Sequence, residues 1–111
     1  APLHKSHKKF NFEEPIKYFE NSIAISELTK INKDFAPFLD NQFNIVVSSM
    51  GDDILEGDMS LHFFSLDSNM NISNHEIMIV NERIRDLKFI EEKNELILFL
   101  ESGEIAFLKK A

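Results

Sequence analysis

From Ser22 onward, apolar residues recur at every second position or in short unbroken runs, and Asn, Asp, Ser and Gly cluster between them. A period of two belongs to a strand and a period near 3.6 to a helix, so the pattern predicts an all-β chain. Ser22 to Leu28 alternates Ile23 and Ile25 against Ala24, Ser26 and Leu28. Further strands are expected at Phe43 to Met50, Met59 to Leu66, Glu76 to Val80, Ile84 to Ile90, Glu95 to Leu100 and Glu104 to Leu108. The breaks between them carry turn residues, as in Gly51-Asp52-Asp53, Asp67-Ser68-Asn69, Asn81-Glu82, Glu92-Lys93-Asn94 and Ser102-Gly103. Asn32 to Gln42 reads as a long connection that tucks Phe35, Phe38 and Leu39 inward, with space for one helical turn. Ile16 to Phe19, after Pro15, is a further short extended run.

Ile45-Val46-Val47 and Leu96-Ile97-Leu98-Phe99-Leu100 are apolar on both strand faces, so they are expected to lie between layers. Antiparallel meander sheets covered on both faces fit radially stacked propeller blades better than a sheet with one wet face. Residues 21–80 supply four strands, one blade, and residues 81–111 supply three, an incomplete final blade. Residues 1–20 hold a basic arm and the outer strand of a preceding blade. The chain is therefore expected to be the tail of a propeller, the whole of it one partial domain.

Composition narrows the functions. Of the 111 residues, 43% are hydrophobic and 28% charged, which describes a folded, soluble chain. The longest apolar run, Leu96 to Leu100, is far short of the roughly 20 residues of a membrane helix. A net charge of −7 opposes nucleic-acid binding, and His4, Lys5, His7, Lys8 and Lys9 read as a solvated arm. With no cysteine, disulfides and thiolate chemistry are excluded. The acidic stretch Asp52, Asp53, Glu56 and Asp58 lacks the glycine and closing glutamate of a calcium loop. His62 and His75 read as core-edge or surface residues, and Asn71-Ile72-Ser73 fits a glycosylation acceptor. An alanine at position 1 and no signal-peptide pattern lead to the expectation of a longer parent.

One tetrapeptide carries chemistry. In Arg83-Ile84-Arg85-Asp86, alternation sends Arg83 and Arg85 to one face at the head of a strand. Two guanidinium forks there suit carboxylates or phosphates, while Glu82 and Asp86 are local acids with which the same arginines can pair.

Three runs in order give a resemblance: Asn21-Ser22-Ile23-Ala24-Ile25-Ser26, Asn44-Ile45-Val46-Val47-Ser48-Ser49-Met50-Gly51, and Glu82-Arg83-Ile84-Arg85-Asp86. From about Glu14 to Leu108 the chain resembles the C-terminal part of the soluble PQQ-dependent glucose/sorbosone dehydrogenases, or aldose sugar dehydrogenases. That resemblance implies the last one to two blades of a six-bladed β-propeller that binds pyrroloquinoline quinone (PQQ) and oxidises sugar hydroxyls. It implies that Arg83 and Arg85 contact the cofactor, that Ser22 and Met50 lie beside it, and that Asp86 braces the arginines. Gly51 stands where some members have a lysine, and Phe19 where an aromatic such as tryptophan precedes the small-residue run. The family's histidine base and the ligands of its catalytic calcium correspond to no part of this chain, so the polypeptide is expected to be inactive alone. A periplasmic or secreted location follows from the family.

Two other readings stand beside it: a non-catalytic propeller-type binding module, and a small β domain whose arginines pair with local acids. In the propeller readings, severed blades would expose apolar faces and strand edges, so self-association is expected, whereas the small β domain would be a monomer.

Overall fold

A computed structural model describes residues 24–37, 43–51 and 59–109. The described residues are all-β, in two antiparallel sheets, with a short 3-10 turn at Glu91–Lys93. Sheet 1 is the meander β1 (Ile25–Ile31), β2 (Phe43–Ser49), β3 (Ser60–Leu66) and β4 (Ile72–Ile79), with neighbours in chain order. Sheet 2 is β5 (Ile84–Ile90), β6 (Glu95–Leu100) and β7 (Ile105–Lys109). The expected all-β class and the meander order both hold. Ser22 and the run Ile16 to Phe19 lie outside the described residues.

The main differences fall at strand ends. β1 begins at Ile25 and runs to Ile31, past the expected stop at Leu28. β4 begins at Ile72, where the sequence pattern placed only Glu76 onward. Its first half is polar, and the ladder to β3 through Ser65↔Asn74 and Phe64↔His75 holds it, so apolar alternation is absent there. After β1 the chain makes one helical turn, in which the Asn32 carbonyl accepts from the Ala36 N–H and its side chain accepts from the Phe35 N–H. Phe35 then packs edge-on against Phe89, with ring centroids 5.3 Å apart.

The core lies between the sheets. Ile31, Val46, Leu61 and Phe63 of sheet 1 meet Ile84, Leu87, Leu96, Leu98 and Leu100 of sheet 2, all of them buried. β3 is buried along its whole length, as a strand covered on both faces must be. Sheet 2 differs, because its outer face leaves Phe99, Ile105 and Phe107 exposed.

The two sheets repeat one design. Setting Ile25 against Ile84 pairs Ile25-Ser26-Glu27-Leu28-Thr29-Lys30-Ile31 with Ile84-Arg85-Asp86-Leu87-Lys88-Phe89-Ile90, matching the first isoleucine, the acid, the leucine and the last isoleucine. Both strands carry a bulge after the first isoleucine, with Ser26 and Arg85 as the inserted residues. In each bulge the acid caps the next residue: Glu27 Oε1 accepts from the Leu28 N–H and Asp86 Oδ1 from the Leu87 N–H.

The sheets stack head to tail. Leu87 and Leu98 face sheet 1, whereas their counterparts Leu28 and Val47 lie on the face of sheet 1 opposite to Val46. Likewise Leu61 and Phe63 are buried against sheet 2, and their counterparts Ile105 and Phe107 form its open face.

Candidate functional site

The site starts from a buried anchor. Ile84 is fully buried between the sheets, so the backbone on either side of it is fixed while Arg83 and Arg85 point away. Its carbonyl accepts a hydrogen bond from Ser26 Oγ of the sheet 1 bulge. Ser26 has given its one proton there, so Ser48 Oγ, 2.8 Å from Ser26 Oγ and 3.3 Å from the Glu27 carbonyl, shares its own proton between the two. This serine relay fastens β1 and β2 to the head of β5.

The two arginines converge on one carboxylate, Glu101. Arg85 Nη1 lies 3.4 Å from Oε1 and Arg83 Nε lies 3.7 Å from Oε2, so each oxygen faces a different guanidinium. The β5–β6 ladder sets Glu101 opposite them, since Ile84 pairs with Leu100 and the Glu101 N–H donates to the Arg83 carbonyl at 2.9 Å. The turn that follows is closed by the Gly103 N–H on the Leu100 carbonyl, with Gly103 at φ +93°, a conformation that suits glycine. The site is open, with side-chain exposures of 39% for Arg83, 57% for Arg85 and 44% for Glu101.

The shared face expected of Arg83 and Arg85 is thus present. The acids expected to meet them are not: among the described residues no ion pair joins Glu82 or Asp86 to either arginine. Asp86 instead caps the Leu87 N–H within its own bulge, and Glu101 takes the bracing position. Met50 is half-buried and donates its N–H to the Ala24 carbonyl at 2.8 Å. That places it at the end of sheet 1 where Ser26 meets β5. Ser22 falls outside the described residues.

Two further features carry polar chemistry. His62, buried in the middle of β3, has Nε2 3.0 Å from Ser60 Oγ and Nδ1 2.9 Å from His75 Nε2. The His75 ring stacks on Phe64 with centroids 4.2 Å apart. One nitrogen of the facing pair must donate and the other accept, so this contact cannot survive with both rings doubly protonated. At the far end of the β1–β5 pair, a cleft of about 460 Å³ is lined by Lys30, Ile31, Asn32, Lys33, Phe89 and Glu91. Among the described residues, no group of three His, Asp or Glu is placed to hold a metal ion, and no helix is long and apolar enough to cross a membrane. No known protein family, curated protein or solved structure matches the chain.

Proposed function

We propose that the two sheets are neighbouring blades of a β-propeller and that Arg83 and Arg85 hold carboxylates of PQQ in a sugar dehydrogenase of the glucose/sorbosone type. The observation that carries this reading is the convergence of both guanidinium groups on one carboxylate at the head of β5. A donor pair that straddles a glutamate suits a ligand bearing carboxylates, and PQQ bears three. Head-to-tail stacking supports the blade reading, because blades around a ring present the same face to each successor. The two sheets of the described residues do not close a ring, so the proposed propeller needs further blades beyond them. A periplasmic or secreted location and a sugar substrate accompany the proposal.

When bound, the quinone would accept a hydride, and with it the two electrons of the oxidation, from the carbon that bears a sugar hydroxyl. The residues of this chain bind and orient. Arg83 and Arg85 grip carboxylates as charged forks, and their spacing is set by the buried Ile84. Ser26 holds the Ile84 carbonyl and keeps the head of β5 in register with sheet 1. Calcium and the histidine base belong to the proposed parent.

The test is equilibrium dialysis of PQQ against the 111-residue chain and against the longest product of its gene, each with Arg83→Ala and Arg85→Ala variants. A charge-assisted hydrogen bond contributes about 1.5–3 kcal/mol, so each variant is expected to lose about tenfold or more in affinity. Unchanged binding would remove both arginines from the site.

A further inference from the structure

We infer that Glu101 is a built-in competitor for the anion site, a tethered carboxylate that occupies the arginine pair until a ligand with more than one carboxylate displaces it. The inference rests on the anion-holding reading of Arg83 and Arg85. Its starting point is placement: Glu101 sits between the two guanidinium groups, one oxygen toward each, in the spot from which an incoming carboxylate would engage both.

The tether is built for exchange. Glu101 is fixed through its backbone, by its N–H on the Arg83 carbonyl and by the turn that the Gly103 N–H closes on Leu100. Its side chain is 44% exposed, so it can rotate away while the turn stays in place. It uses one nitrogen of each arginine, at 3.4 and 3.7 Å, longer than a charge-assisted hydrogen bond of about 2.7–2.9 Å. A better-placed carboxylate therefore gains on the contacts it replaces.

Electrostatics sets the selectivity. Two cations two residues apart repel, and Glu101 offsets that repulsion when no ligand is present. A monocarboxylate trades one anion for another and gains little. A polycarboxylate can give each fork its own carboxylate, so the tether discriminates by the number of carboxylates.

The experiment is calorimetric titration of the full chain and of its Glu101→Gln and Arg83→Ala/Arg85→Ala variants with citrate, acetate and PQQ. Glutamine keeps the shape of Glu101 and removes its charge. The expected result is citrate affinity about three- to tenfold higher in Glu101→Gln, acetate affinity raised at least as much so that the preference for citrate narrows, and loss of both in the double arginine variant. The thermal midpoint of Glu101→Gln should stay near that of the parent, as suits an exposed pair. Citrate affinity in Glu101→Gln equal to or below the parent's, or no binding by either, overturns the inference. The PQQ arm is separate: a quinone held no more tightly than citrate removes the quinone reading and leaves the competitor standing.

Discussion

Two isoleucines on opposite sides of sheet 2 measure how the sheets are stacked. Ile84 is fully buried in the shared core and Ile105 is 54% exposed on the outer face. Replacing either by alanine removes the same three carbons. At Ile84 the lost transfer energy is roughly 2–2.5 kcal/mol at about 0.8 per carbon, and the cavity left between two sheets raises the total to about 3–4 kcal/mol. At Ile105 only about half of that area leaves water on folding and no enclosed cavity forms, so the cost is about 1 kcal/mol. Urea denaturation followed by circular dichroism, at a concentration where the chain is monomeric, reads both. With a slope of about 1–2 kcal/mol per molar for a chain of this size, the Ile84→Ala midpoint should fall at least about 1 M further than that of Ile105→Ala. Equal shifts, or a larger one at Ile105, would mean that the outer face of sheet 2 is the covered one, and the head-to-tail stacking would be refuted.

Ser26→Ala leaves the Ile84 carbonyl without its hydroxyl donor and should cost about 1–3 kcal/mol, with faster hydrogen exchange at the head of β5 by mass spectrometry. Exchange unchanged from the parent would count against the serine relay. Gly103→Ala meets no neighbour within 4 Å but forces alanine to φ +93°, so a loss of roughly 1–2 kcal/mol in thermal unfolding is expected from backbone strain alone. The Phe99, Ile105 and Phe107 face is expected to drive self-association in the chain alone, and Phe107→Glu should shift sedimentation velocity toward monomer. An unsubstituted 111-residue chain that stays monomeric at high concentration would defeat that expectation.

Strand type was legible wherever burial writes an apolar period into the chain. β5 and β6 run from Ile84 to Ile90 and from Glu95 to Leu100, the bounds that the hydrophobic runs suggest. The first half of β4 was illegible because Ser73, Asn74 and His75 are held by ladder pairing to β3 and leave no apolar trace. In the site, the common face of Arg83 and Arg85 follows from their spacing, whereas Glu101 lies 16 residues beyond Arg85 and enters through register. A signal for it did exist. A hairpin turning at Glu91–Lys93 pairs Ile90 with Glu95 and by count alone sets Ile84 against Glu101, within one residue of both arginines; the bulge at Arg85 then moves Leu100 onto Ile84 and Glu101 onto Arg83. His62 and His75 meet for the same reason, across a β3–β4 register that local patterning does not specify.

The repeated bulge separates what the fold requires from what it permits. Ser26 and Arg85 occupy the same inserted position, one in each sheet. In sheet 1 the following sheet packs alongside, and a small hydroxyl fits there and fastens the two together. In sheet 2 the same bulge carries an arginine that is 57% exposed and, among the described residues, reaches a surface carboxylate, Glu101. Exposed pairs of that kind contribute about 0.2–1 kcal/mol, too little to explain a second arginine set beside the first. The bulge forms with serine as well as with arginine, so the sheet does not require a guanidinium at position 85. On the proposed reading it adds a second fork aimed at the point where Arg83 already points, for holding an anion.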